Sequence, residues 1–562
     1  MSFTTKGRLV AGIALLAAGL TALTGCSSGT VASTKTGTSS ITLFNGAVGN
    51  FTENFNPLNN TGAALQPTLG VIYEPLFYYN IARSQAPVPE LATKTDWNAN
   101  GTQLTITTRS GVKWTDGTPF TAKDVAYTFN LMVTNPALNT TGQKYTVKAT
   151  GADTVVLTFP TTSFTQAPQL LGNTPMIPEH IWSKISDPTK VTNTSPVGTG
   201  PFKLKSFSPQ SYVLTRNTSY WGTGAEAPKV DQVRYISLSN ADAATSALEA
   251  GTVDYMGSFL PTLKSLMSKN PKLSYTNTPV NTTSVVTCSN ASMGCSGPQT
   301  DAAVRQAIYY AMDRTQMNTQ AAAGFSLPGS PSLLAPNVNK DNIVSGATTL
   351  PTSADASKAK SVLEADGWKM GSSGFYSKDG QELDLTVNVV SGWTDYDTLC
   401  TLLQGQLKSA GIKLSVNQMA QNAWSQAETG GKFQLSLNSV NTGVSTSPYY
   451  IYNNYLSTSA TAKVGADATT NTSRFSNSKV DAALKTIADT NDASTQRTQY
   501  GVIQSIIEQQ MPYIPIYVNS SLTEYNNSRA TGWPTASSLY AFPLPWKSWD
   551  NGIVLKTIRP VD

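Results

Sequence analysis

The clearest pattern of apolar and polar positions lies in the stretch 104–132, LTITTRSGVKWTDGTPFTAKDVAYTFNLM. Leu104, Ile106 and Thr108 alternate with Thr105, Thr107 and Arg109, the period of two that predicts a half-buried strand. Asp116-Gly117 stands between Val112-Lys113-Trp114 and Pro119-Phe120, a turn dipeptide between apolar groups. Thr121 then reads as a helix N-cap with Asp124 three residues on, which places a carboxylate in the positive first turn. Ala122, Val125, Phe129 and Met132 follow at helical spacing. The prediction is strand, tight turn, amphipathic helix.

From Ile41 to about Val285 strand and helix signals alternate, with many turns. Ile41, Leu43 and Val48 open the series, an apolar run over 71–77 contains Pro75 as a stop, and strands are expected over 155–159 and 202–207. The turn Pro196-Val-Gly-Thr-Gly-Pro201 leads into the last of these, and Ala243, Ala247 and Leu248 suit a short helix closed by Gly251. A second body begins near Val286. Val304, Ala307, Ile308, Ala311 and Met312 trace a helix face. Leu383, Leu385, Val387 and Val389 form a strand; a helix carrying Leu399, Leu402, Leu403 and Leu407 follows, then a strand over 411–416. That order predicts a βαβ unit and a parallel sheet, so the fold class is α/β. Residues 433–440 and 514–518 add strands, and neither an internal repeat nor a coiled-coil heptad is present.

At 562 residues the chain is too long for one core, so two or more lobes are expected. Charged residues are only 13%, about half the usual share, and Ser, Thr, Asn and Gln fill the surface instead. The net charge is +5, or +3 once Lys6 and Arg8 are lost with the leader. That bias is too weak to imply a nucleic-acid partner. Residues 1–25 read as a signal peptide: Lys6 and Arg8 are its positive end, and 9–22 is an apolar run too short to span a membrane comfortably. It ends in Leu23-Thr24-Gly25-Cys26, the lipobox of bacterial lipoproteins. Cys26 is expected to carry the lipid, and 26–40 to be a Ser/Thr/Gly-rich tether. The folded body would then sit on the extracytoplasmic face of the cell membrane.

The remaining cysteines suit an oxidising compartment. Cys288 and Cys295 bracket a small polar loop, for which a closing disulfide is expected and two free thiols are the alternative. Cys400, on the predicted helix, is expected to be a buried free thiol. The single histidine, His180, rules out histidine-rich metal sites and is expected to pack at a helix start. Ser110-Gly-Val-Lys113 and Lys35-Thr-Gly37 match motifs of penicillin-recognising enzymes but fail on context, the first in a strand turn and the second in the tether. No lipase-type serine motif, metalloprotease motif, P-loop or dinucleotide fingerprint occurs. Neither an enzymatic activity nor a cofactor or metal is expected. Trp393, Trp424 and the Tyr449-Tyr450-Ile-Tyr452 cluster fall in contexts read as turn-rich or strand-end, where aromatic faces can stack on sugars or peptide side chains.

The opening stretch has a more specific wording. Val112-Lys-Trp-Thr-Asp-Gly-Thr-Pro119, with the helix that follows, resembles the hallmark of family 5 solute-binding proteins. Further segments match in the family's order: Tyr73-Glu-Pro-Leu-Phe77, Pro89-Glu-Leu-Ala92, Val197-Gly-Thr-Gly-Pro-Phe202, Gly251-Thr-Val-Asp254 and Ala410-Gly-Ile-Lys413. The family serves ABC importers of peptides, nickel complexes and some oligosaccharides. The resemblance implies a two-lobed periplasmic-binding-protein-like fold with a hinge. Lobe I would be 41–285 plus 516–562, with an extra subdomain at about 81–194; lobe II would be 286–515. It implies a monomer that delivers an oligomeric solute to ABC permease subunits. Oligopeptide stands slightly ahead of neutral oligosaccharide as that solute. The Cys288–Cys295 loop falls where some peptide-binding members carry a disulfide. Ligand contacts are expected from Trp424, Trp393, Asn441, Thr442, Ser445 and Asn45. In the family's peptide binders the loop after the strand matching 433–440 carries a Trp and an Asp that pairs with the ligand's amino terminus. Here it reads Val440-Asn-Thr-Gly-Val-Ser-Thr-Ser-Pro448, with neither. Asp395 or Asp397 would have to supply such a charge.

Overall fold

The computed structural model describes residues 38–59, 68–344, 346 and 348–561. The leader, Cys26 and the tether as far as residue 37 lie outside the described residues. Among the described residues no helix is long and apolar enough to cross a membrane.

Two sheets organise the body. The larger has seven strands in the order Leu273–Asn277, Leu522–Asn526, Tyr255–Met256, Ser40–Phe44, Gln232–Ile236, Ser211–Arg216, Phe202–Ser208. Its central strand, Ser40–Phe44, runs parallel to both neighbours. The smaller has five strands in the order Lys413–Met419, Asp384–Val390, Leu435–Val440, Asn281–Thr287, Tyr513–Asn519. Strand Asp384–Val390 is parallel to Lys413–Met419 and to Leu435–Val440, and helix Thr394–Ser409 makes the crossover. The five-stranded sheet is buried on both faces. Leu435 and Leu437 enter one apolar cluster with Leu399, Leu403 and Leu407, whereas Val286 and Val440 enter another with Ile451, Leu484 and Ile507. Double burial shows in Asp384–Val390, where Asn388 and Val389 are both buried although polar and apolar residues alternate over 384–389.

The chain passes between the sheets twice, over 278–280 and 520–521, so both crossover strands, Asn281–Thr287 and Tyr513–Asn519, lie whole in the smaller sheet. The boundaries expected at 285/286 and 515/516 fall inside those strands. Asn281–Thr287 reads NTTSVVT and Tyr513–Asn519 reads YIPIYVN, and neither sequence marks where the chain leaves one sheet for the other. The crossovers are bonded to each other: Thr278 donates its N–H to the Ser521 carbonyl at 2.9 Å, and Ser521 donates to Asn277 Oδ1 at 3.2 Å.

A four-stranded sheet, Ala92–Trp97, Gln103–Thr108, Thr154–Thr158 and Thr146–Ala149, forms a subdomain with helix Ala122–Thr134. Thr121 and Asp124 form a full capping box at the start of that helix. The Asp124 carboxylate also accepts the Glu179 N–H at 3.0 Å, so one side chain starts two helices. Ala122, Val125 and Phe129 enter the subdomain core, while Tyr127, Leu131 and Met132 pack on the large-sheet core. The helix therefore joins the subdomain to lobe I. Thr115 donates its N–H to the Gly198 carbonyl at 2.9 Å. A Cβ on Gly198 would lie 1.9 Å from the Ile72 carbonyl oxygen, and one on Gly200 2.3 Å from that of Val71. The Gly-Thr-Gly turn is thus a close backbone contact, which only glycine permits.

Cys288 and Cys295 are joined by a disulfide, with Cα atoms 5.5 Å apart. Cys400 is a buried free thiol whose pKa burial pushes up to about 12. His180, in the short helix Glu179–Trp182, contacts Asp116 Oδ2 at 2.7 Å.

Candidate functional site

In open α/β sheets ligands bind outside the carboxyl ends of parallel strands. In the smaller sheet those ends are Val390, Met419 and Val440. Trp393 lies three residues past the first, helix Gln421–Thr429 with Trp424 follows the second, and loop 441–447 follows the third. In the larger sheet Asn45 directly follows the central strand Ser40–Phe44 and is buried. All six candidate residues thus sit at carboxyl ends of parallel strands.

Their surroundings differ. The Trp393 and Trp424 rings meet edge to face with centroids 5.6 Å apart, a geometry favoured by the ring quadrupoles. Trp424 is buried and donates its indole N–H to Ser436 Oγ at 3.0 Å. Ser436 in turn donates to Glu428 Oε2 at 2.6 Å, and Asn438 and Thr472 donate to Oε1 at 2.7 and 3.2 Å. Burial raises the Glu428 pKa, against the pull of these three donors. Glu428 was not anticipated. The signal was available, because it lies four residues after Trp424 on one helix and Ser436 and Asn438 share a strand face. The network holds Trp424 from beneath.

In loop 441–447, Asn441 is exposed and its N–H is bonded to the Tyr455 hydroxyl at 3.1 Å. Thr442 is buried: its hydroxyl donates to the Val280 carbonyl at 2.9 Å and its N–H to Asn281 Oδ1 at 3.1 Å, which fastens the loop to a crossover. Ser445 is buried and its Oγ accepts the Ser447 N–H at 3.2 Å. The loop ends sooner than the turn-rich reading implies, because Pro448 opens helix Pro448–Leu456 and so carries Tyr449, Tyr450 and Tyr452 on a helix.

Two carboxylates stand in the first turn of helix Thr394–Ser409. Asp397 is engaged, accepting the Gly392 N–H at 3.2 Å and the Gln418 amide at 3.0 Å. Asp395 is half-buried, and burial raises its pKa, opposed by the helix-start N–H groups of Asp395 and Tyr396. A cavity of about 800 Å³ lies where the subdomain meets lobe II, between 141–169 and helix Pro448–Leu456, and it takes Gly443 and Val444 from the loop. Tyr450 crosses from this helix and donates its hydroxyl to the Thr165 carbonyl at 2.6 Å. Among the described residues no cluster of His, Cys, Asp and Glu suited to a metal ion occurs.

Two α/β lobes on paired crossovers, with aromatic and amide-bearing loops at their strand ends, define the class: a two-lobed solute-binding protein. The family follows from comparison. Residues 86–462 match the model of bacterial extracellular solute-binding proteins, family 5, and the chain belongs to that family. It is 24% identical over 436 residues to the oligopeptide-binding protein AppA of Bacillus subtilis (strain 168), covering 74% of this chain and 75% of that protein. It resembles the periplasmic oligopeptide-binding protein of Thermotoga maritima with a TM-score of 0.81 and 23% identity, covering 93% of this chain and 99% of the other. The mannohexaose-bound form of the Thermotoga protein matches with a TM-score of 0.74 and 23% identity, over 93% of this chain and 98% of the other.

Proposed function

We propose that this protein is the extracytoplasmic receptor of an ABC importer, a non-enzymatic, lipid-anchored monomer that captures an oligopeptide between its lobes and hands it to the permease. Cys26 would carry the anchor. Closure is a population shift: a ligand that touches both lobes only when they are closed favours that state by its differential affinity. Asn45 would contact it from lobe I, and Trp424, Trp393, Asn441 and Ser445 from lobe II. Thr442 would set the loop against the crossover. The observation that carries the peptide reading is Asp395, a half-buried carboxylate two residues from Trp393 at the strand ends. A peptide ammonium enclosed in a closed cleft needs such a partner, and loop 441–447 provides none.

A second reading, a neutral oligosaccharide, is favoured by that same loop of Asn, Thr and Ser and by the mannohexaose bound to the Thermotoga protein. A thermal-shift screen of residues 27–562 against short peptides and β-linked oligosaccharides separates the two, since ligand raises the melting temperature by mass action. Hits only among sugars would end the peptide reading. Asp395→Asn should weaken free-amino peptides and leave their N-acetylated forms unchanged; equal loss of both would remove Asp395 from that role.

A further inference from the structure

The cavity between the subdomain and helix Pro448–Leu456 has the roughly 300–1,000 Å³ size of a ligand pocket, at about 800 Å³. Its walls carry amides (Gln143, Gln166, Gln169, Asn453, Asn454) and hydroxyls, and among the described residues its only ionic side chain is Lys144 and no carboxylate lines it. Apart from Lys144, such walls donate and accept hydrogen bonds without selecting a charge. Gly443 and Val444 line it, and they belong to loop 441–447, which follows the carboxyl end of strand Leu435–Val440. The cavity and the strand-end candidates thus share loop 441–447.

Resting on the receptor reading above, we infer that this cavity is an outer compartment of the ligand site, taking the far, uncharged part of an extended oligomer through its amide or hydroxyl groups. The Tyr450–Thr165 hydrogen bond closes one side of it, joining lobe II to the subdomain. The subdomain thus takes part in ligand length selection. The ligand's ammonium, if it has one, stays at the inner end, because the compartment holds no acid to pair with it.

The test is isothermal titration of the protein with two ladders. One holds N-acetylated, C-amidated peptides of two to six residues, and the other neutral β-linked oligosaccharides of two to six units. For the wild type, affinity rises along whichever ladder binds. In the double variant Gln166→Ala/Asn453→Ala the longest ligands lose roughly tenfold in affinity, the scale of one or two hydrogen bonds, and the shortest are unchanged. Which ladder shows this identifies the ligand chemistry. Binding that is indifferent to length, or lost equally at every length, overturns the compartment and leaves the receptor reading standing. Binding of neither ladder, by a wild type that also ignores free-amino peptides, overturns both. A ligand-free denaturation curve matching wild type shows that the double variant is folded.

Discussion

Glu74→Gln tests a buried carboxyl of lobe I. Glu74 is buried, accepting the Tyr220 hydroxyl at 2.7 Å and the Trp221 indole N–H at 3.0 Å. Beside it Lys556 grips Glu90 at 2.6 and 2.8 Å. Burial first, and the Glu90 charge second, raise the Glu74 pKa to about 7, with Lys556 and the two donors pulling the other way. A carboxyl raised in the folded state binds its proton more tightly there than in the unfolded chain. It adds stability that is full below the unfolded value near 4.5 and is lost as pH climbs through about 7. At about 1.36 kcal/mol per pK unit, the loss between pH 5 and pH 8.5 has a ceiling of about 3 kcal/mol. Glutamine keeps the Tyr220 bond and turns an amide toward the Trp221 N–H, a cost of about 1 kcal/mol at any pH. The variant should therefore be less stable than wild type at pH 5 and equally or more stable at pH 8.5. In so long a chain 1 kcal/mol moves the melting temperature by only about 1 °C, so urea denaturation followed by tryptophan fluorescence is the sharper assay. A wild-type-minus-variant difference that stays constant from pH 5 to 8.5 would refute the reasoning.

Trp424→Ala should weaken ligand binding more than tenfold and also destabilise lobe II by about 3 kcal/mol, because a buried indole is deleted; an unchanged Kd at native circular dichroism would remove Trp424 from the site. Serine at both Cys288 and Cys295 should cost about 2.5 kcal/mol, the chain entropy of so short a loop, and urea midpoints of wild type with and without reductant should differ in the same sense. Thr121→Ala should cost about 1 kcal/mol, and Asp124→Ala distinctly more, since Asp124 also caps the Glu179 helix; equal midpoints for the two variants would contradict the shared cap.

Local patterns in the sequence were informative where one element answers to one period. The strand Gln103–Thr108, the capped helix after it and the Asp384–Val390 βαβ unit all follow from alternation, capping residues and helical spacing. Pro448 was misleading because proline marks both turns and first helical turns, and the helix behind it is rich in tyrosine and asparagine, which carry little helical signal. Thr442 shows another limit: its hydroxyl is bonded to Val280, and no spacing rule connects positions so far apart. The Tyr450–Thr165 bond and the cavity beside it arise the same way, from tertiary placement of segments with no shared period. The aromatic and amide-bearing positions were visible, but not their supports, of which Glu428 is the clearest.

The two crossovers also govern the order in which the molecule can be built. The strands and helices from Asn281 to Asn519 form one unbroken stretch of chain, whereas the sheet centred on Ser40–Phe44 waits for Leu522–Asn526, and Glu90 waits for Lys556. A chain that emerges amino end first therefore exposes an unfinished sheet while the later-synthesised lobe II already has all its strands. Loss of the last forty residues would strike the lobe that began first.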